Sequence, residues 1–225
     1  MAKAPTTGTP TDPMANRPAY VQEENYELPQ QESSFYPRIK LIQALSPEMD
    51  DSNDKYIPAA KNGQLLIETN PPTLVSPEDG VVVIPLMVKK RWVEYIPKKQ
   101  GGGFVASYDT REAMEAGYTQ GNDIQVTIEY LVMLPDTQEV FVVPFGSVTA
   151  LGVAKKWGTF IEQYKTLSGV KYKLSSKTMT NKAKQPYKVM TVEPMGWVSE
   201  QLMFTAKEMI GQNEQLFLPA PESEV

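Results

Sequence analysis

Apolar positions along the chain change period several times, and each change predicts an element. Arg38-Ile-Lys-Leu-Ile-Gln-Ala-Leu45 alternates in part and stops at Ser46-Pro47, the pattern of a strand and a turn. A polar loop over 48–63 follows, then a short strand over Gln64–Glu68. Val81–Val88 is almost continuously apolar, with Pro85 marking a bulge or an edge, and 91–96 continues the strand pattern. Ile124, Val126, Ile128, Tyr130, Val132 and Leu134 keep strict period two, Pro135-Asp136-Thr137 turns the chain, and Glu139–Val143 returns as a hairpin partner. Thr110–Glu115 reads as a short helix ended by Gly117.

Ser147 then stands as an N-cap before a stretch of helical spacing. Val153, Trp157, Phe160, Ile161, Tyr164 and Leu167 form one apolar stripe, so Trp157 is expected to point inward. Val170–Leu174 and Tyr187–Val192 read as paired strands joined by a lysine-rich loop over 175–186. Ser199–Ile210 reads as a last helix, stopped by Gly211. The expected fold class is α+β: an antiparallel, partly barrel-like sheet, two main helices at about 147–167 and 199–210, and disordered ends. Residues 1–34, with prolines at 5, 10, 13, 18 and 29, form an N-terminal arm that is disordered or loosely docked. Residues 35–212 form one domain, and 213–225 an acidic tail. A chain of 225 residues starting at Met1 is expected to be a whole protein with a sizeable core.

Charge changes this picture more than composition does. The net charge is −5, but residues 151–192 hold nine lysines against Glu162 alone, a block of +8. These are Lys155, Lys156, Lys165, Lys171, Lys173, Lys177, Lys182, Lys184 and Lys188, interleaved with Trp157, Phe160, Tyr164, Tyr172 and Tyr187. Lysines among rings suit a single strand, because cations follow phosphates and ring faces accept unstacked bases. The plainer alternative is a core of rings under a solvated face of lysines. A second cluster holds Lys89, Lys90, Arg91, Trp92, Tyr95, Lys98 and Lys99, followed by Gly101–Gly103 and Phe104. With period two, Lys90, Trp92 and Glu94 share one face and Arg91, Val93 and Tyr95 the other. The glycine run reads either as a mobile loop over a bound strand or as a long hairpin tip. The exposed-ring candidates are Trp92, Tyr95, Phe104, Tyr172 and Tyr187.

Catalytic chemistry finds little purchase. There is no cysteine and no histidine, which removes thiolate sites, imidazole bases and the Ser-His-Asp triad. Asp50-Asp51-Ser52-Asn53-Asp54 lacks the glycine and distal glutamate of a calcium loop, and Gly101–Gly103 lacks the Gly-Lys-Ser/Thr of a phosphate loop. No metal site and no cofactor are expected, and the chain reads as a non-enzyme. No stretch approaches the ~18–20 apolar residues of a membrane span. In the tail, Phe217 and Leu218 beside Glu222 and Glu224 are candidates for docking onto a basic partner, or for lying back on the lysine block.

Several segments carry a resemblance: Phe35-Tyr-Pro-Arg-Ile-Lys-Leu-Ile-Gln-Ala-Leu-Ser-Pro47, Tyr56-Ile-Pro-Ala-Ala-Lys-Asn-Gly63, Val93-Glu-Tyr95, Lys155-Lys-Trp157 and Gly196-Trp-Val198. Over about residues 35–210 the chain resembles tailed-bacteriophage single-stranded-DNA-binding proteins, including the RNA polymerase cofactor of N4-like phages. The resemblance implies a phage protein in the cytoplasm of an infected bacterium, binding single-stranded DNA in replication or promoter opening. It also implies a phage RNA polymerase or replication protein as partner. Self-association into a homo-oligomer is a further expectation. A virion structural or assembly protein is the main alternative, and a metal-dependent nuclease the lesser one.

Overall fold

The computed structural model describes residues 14, 17–21 and 36–217. Its centre is β4 (Val81–Tyr95), which joins the apolar run over 81–88 and its continuation over 91–96 in one strand. The run reads as nearly unbroken apolar at its start because both of its faces are covered there. A register shift between Pro85 and Met87 places a bulge at the proline, as its missing N–H requires.

Along one edge β4 pairs with β6 (Asp123–Met133), which pairs in turn with β7 (Val140–Phe145). On the other edge its first residues, Val81–Val83, pair with β8 (Val170–Thr180), and its last, Trp92–Tyr95, with β5 (Phe104–Tyr108). β9 (Pro186–Trp197) completes the six-stranded sheet beyond β8. Gly101–Gly103 sits in the connection from β4 to β5, at the tip of a hairpin. α1 (Arg111–Gly117) follows, capped by the Thr110 side chain.

Two helices sandwich this sheet. α2 (Val148–Tyr164) is capped by Ser147 and lays Trp157 and Ile161 on Tyr130, Val143 and Tyr172. Trp157 has no exposed surface and stacks on Tyr130 at 4.2 Å between centroids, as its stripe predicted. α3 (Glu200–Phe217) covers the opposite face through Met203, Ala206 and Phe217, against Leu86, Leu131 and Val142. It runs through Gly211 because Phe217, the last helical residue, is fully buried. The alternation Tyr130, Leu131, Val132 along β6 therefore serves two cores, one per helix.

A small antiparallel sheet of β1 (Ile39–Leu41), β2 (Leu65–Ile67) and β3 (Thr73–Val75) lies beside the large one. It touches one edge through a bridge from Arg38 to Val142. It meets the β8–β9 hairpin through Gln43 Nε2 donating to the Lys188 carbonyl at 3.1 Å and Ser176 Oγ donating to the Gly63 carbonyl. The molecule is thus α+β with open sheets; among the described residues no ladder closes them, which corrects the partly barrel-like expectation. The predicted strand over 38–45 shortens to β1 because Gln43 and Ser46 bond each other in a turn. Within the predicted arm, Val21 is buried, Tyr20 Oη donates to the Val198 carbonyl, and the Arg17 guanidinium lies over the Trp197 ring. Residues 1–13, 15, 16, 22–35 and 218–225, with Leu218, Glu222 and Glu224 among them, lie outside the described residues.

Candidate nucleic-acid interface

The lysine block resolves into three parts. β8 and β9 run well past the sheet, so the expected loop over 175–186 is mostly ladder and turns only near 181–185. Val170, Tyr172, Leu174 and Val192 hold the inner face of this ribbon in the core. Alternation therefore puts Lys171, Lys173 and Lys177 on its outer face, with Tyr187 beside Met179. Lys177, Lys182 and Lys184 are exposed along the projecting half of the ribbon. Lys155 and Lys156 stand on the solvent side of α2, and Lys165 caps its end in the left-handed region at φ 52°.

Some of these lysines are held by the fold. Lys173 donates to the Glu78 carbonyl at 2.8 Å and Lys156 to the Val192 carbonyl at 3.4 Å. Lys188 donates to Thr178 Oγ1 across the ribbon at 2.9 Å. Each keeps its charge at the surface, where a phosphate can compete for the same protons.

Four candidates prove to be interior. Lys89 has no exposed surface: its ammonium lies 4.4 Å from the Phe217 ring centroid and 3.7 Å from Glu129. Burial lowers its pKa to about 8. Arg91 is consumed by Asp109 at 3.3 Å, Glu129 at 3.7 Å and the Ser107 hydroxyl at 2.7 Å. Tyr172 is fully buried beside Trp157, and burial pushes its phenol pKa up. Phe217 is a core residue of α3 and not a docking residue of a tail. The common reason is that each side chain meets an element from elsewhere in the chain, Lys89 the end of α3, Arg91 Asp109 after β5, Tyr172 the helix α2 and Phe217 the sheet, which a one-dimensional charge count cannot register.

Trp92 and Tyr95 point to opposite faces of β4, as period two requires, so they cannot stack on one strand of bases together. The Lys90 ammonium lies over the Trp92 ring at 4.6 Å. Tyr95 meets Phe104 edge to face at 6.4 Å, and Phe104 is 64% exposed at the hairpin tip beside exposed Lys98 and Lys99.

The two basic segments leave opposite ends of β4, a strand spanning roughly 45–50 Å. Two clefts nevertheless lie between them. A cleft of about 560 Å³ lies between Tyr95 and Phe104 on one side and Arg38 and Pro144 on the other, with Glu129 and Thr127 in its wall. A second, of about 220 Å³, lies between the start of α2 at Ser147 and Lys188. Pro144 and Gly146 belong to both, so the clefts meet at the end of β7.

The fit at that junction is close. A Cβ on Gly146 would stand 2.6 Å from Gln125 Nε2 and 3.1 Å from Thr127 Oγ1, and Gln125 donates to the Gly146 carbonyl. Lys40 lines the second cleft but is held by Glu48 at 2.8 Å and Glu68 at 2.7 Å. Arg38, Gln125 and Gly146 carry no sequence signal for binding; they come from just before β1, from β6 and from just after β7, and meet only in the fold. Among the described residues no cluster of three metal-ligating side chains occurs.

The model of the Pam3 phage gp34-like protein family matches residues 11–215. The chain belongs to that family. This member is therefore a bacteriophage protein, the origin that the resemblance implied. No curated protein matches it. Among the described residues of this family member no helix is long and apolar enough to cross a membrane.

Proposed function

We propose that this phage protein binds single-stranded DNA with little sequence preference, in the cytoplasm of the infected cell, during replication or as a transcription cofactor. The observation that supports this most is the junction at Gly146 of two clefts, one starting at Lys188 on the basic ribbon and the other ending at Tyr95 and Phe104. Lys177, Lys182 and Lys184 serve phosphates on the ribbon, and the exposed Phe104 ring offers a stacking face worth roughly 1–3 kcal/mol per base. A duplex about 20 Å across does not follow a path that bends round the end of a strand; a flexible single strand does.

The test is fluorescence anisotropy with a labelled thirty-nucleotide oligo-dT across salt concentrations, with duplex and RNA as competitors. With about five phosphates neutralised, the log–log slope is about −3.5 and affinity falls roughly a hundredfold between 50 and 200 mM salt. Absence of binding at low salt would sink the reading. A virion assembly role has one observation in its favour, the exposed apolar tip formed by Ile96, Phe104 and Val105. Its mark would be the presence of the protein in purified particles.

A further inference from the structure

The outer half of the β8–β9 ribbon covers nothing. β4 pairs with β8 only as far as Leu174, and every residue from Lys177 to Pro186 is exposed, so no layer lies on either face there. A two-stranded ribbon without a packed face is marginal by itself. Here the stiffness is internal. Ser175 and Thr191 share a hydroxyl hydrogen bond at 2.6 Å, and Lys188 Nζ reaches Thr178 Oγ1 across the strands at 2.9 Å. At the tip the Asn181 N–H donates to the Gln185 carbonyl, the Gln185 N–H to Asn181 Oδ1, and the Asn181 amide to Gln185 Oε1, all at 2.9–3.1 Å. Lys184 turns the chain in the left-handed region at φ 59°, where a lysine stands at a steric cost. A stiff, unpacked projection is a shape that enters a partner, whereas a cleft receives one.

Charge and size say which partner. No acid occurs between Glu162 and Glu193, and the ribbon carries Lys177, Lys182, Lys184 and Lys188. An unopposed cationic projection suits a groove walled by phosphates. Two strands about 4.8 Å apart are, with their side chains, roughly 10 Å across. The major groove of B-DNA, about 12 Å wide, admits such a ribbon, and the minor groove, about 6 Å wide, does not. Met179 and Tyr187 are cross-strand neighbours on the outer face and form the kind of apolar spot that a thymine methyl meets there.

We propose that the ribbon docks in the major groove of duplex DNA, so that the preferred target is a junction of duplex with single strand. Lys188, where the ribbon joins the body, also lines the smaller cleft, whose volume of about 220 Å³ has no room for a duplex. A duplex on the ribbon thus brings its single-stranded extension to the mouth of that cleft. The junction rests on the proposed single-strand binding; the groove contact does not.

The test compares, by anisotropy, a twenty-nucleotide oligo-dT, a blunt DNA duplex, and the same duplex carrying the oligo-dT as a tail. A fourth probe carries that tail on an RNA duplex. The tailed DNA duplex is expected to bind about tenfold tighter than the oligo-dT, because linked contacts exceed either alone. Its log–log salt slope should be steeper by about 0.9 for each duplex phosphate neutralised. The RNA duplex should add little, since its major groove is deep and narrow. A tailed DNA duplex no tighter than oligo-dT, or an equal gain from RNA, overturns the groove contact and leaves strand binding in place. A blunt duplex bound while oligo-dT is not overturns strand binding and the junction, and supports the groove contact. Methyl green, a major-groove ligand, should remove the gain and netropsin, a minor-groove ligand, spare it; the reverse overturns the proposal. Replacing Lys177, Lys182 and Lys184 with alanine should bring the ratio of the two affinities toward one, whatever becomes of oligo-dT binding itself. An unchanged ratio in the folded variant overturns the proposal, and if that variant does not fold, the two groove ligands on the unaltered protein decide.

Discussion

Lys89 shows how far one residue can depart from its sequence reading. In the chain it stands beside Lys90 and Arg91; in the fold it is an interior cation between Glu129 and the Phe217 ring. Its pKa falls from 10.5 to about 8 because burial penalises the charged form more than Glu129 rewards it. The unfolded chain holds this proton to higher pH than the native one, so stability rises as pH increases from about 8 toward 10.5. Tyr130 and Tyr172 act in the opposite sense above about pH 10, since burial raises both phenols and the unfolded chain ionises first. Urea melts of the unaltered protein are expected to show stability increasing between pH 8 and 9.5. In Lys89→Met, which keeps the aliphatic stem over Phe217, that increase should vanish; its survival would assign the effect elsewhere. Phe217→Ala removes a fully buried ring and should cost about 3–5 kcal/mol in the same melts.

Elements show why the lysine block divides. α2 turns its rings inward and leaves Lys155 outside because helical spacing separates the two faces. The β8–β9 ribbon does the same with period two, and its outer half presents lysine, threonine and methionine together with Tyr187. Lys177, Lys182 and Lys184 are exposed, so replacing all three with alanine should leave the melting temperature within a degree or two. The same variant should flatten the salt dependence of oligo-dT binding by about 0.7 for each lysine that meets a phosphate. An unchanged slope in anisotropy titrations would remove the ribbon from the interface. α3 teaches the converse lesson: a glycine at 211 reads as a stop, yet the helix continues because its final turn has a buried anchor. Deleting residues 213–225 would strip Phe217 from the core, so a truncation that probes the acidic end should start at 218.

Across the whole molecule, the path from the ribbon to the hairpin tip depends on one position without a side chain. Gly146→Leu places its side chain against Gln125 and Thr127, at the junction of the two clefts. Short oligonucleotides of six to eight residues, which need only one cleft, should bind the variant nearly as well as the unaltered protein. The gain in affinity on lengthening to thirty residues should shrink by about tenfold, roughly the loss of one stacked base and a phosphate contact. Equal length dependence in both proteins would mean that no strand crosses Gly146.

Local pattern determined a great deal of this protein. The periods of β6 and α2, the bulge at Pro85, the caps at Thr110 and Ser147 and the inward Trp157 all depend on neighbours within a few residues. The α+β class follows from them. Tertiary structure alone decided which charges meet solvent. Lys89 and Lys90 are adjacent in sequence, yet Lys89 is buried against Phe217 from the far end of the chain while Lys90 lies over the ring of Trp92 on its own strand. It also decided the site, because Arg38, Gln125 and Gly146 meet from three separate parts of the chain with no spacing rule to connect them. Periodicity reports a residue's face, a local property, whereas burial and convergence depend on what the rest of the chain places against that face.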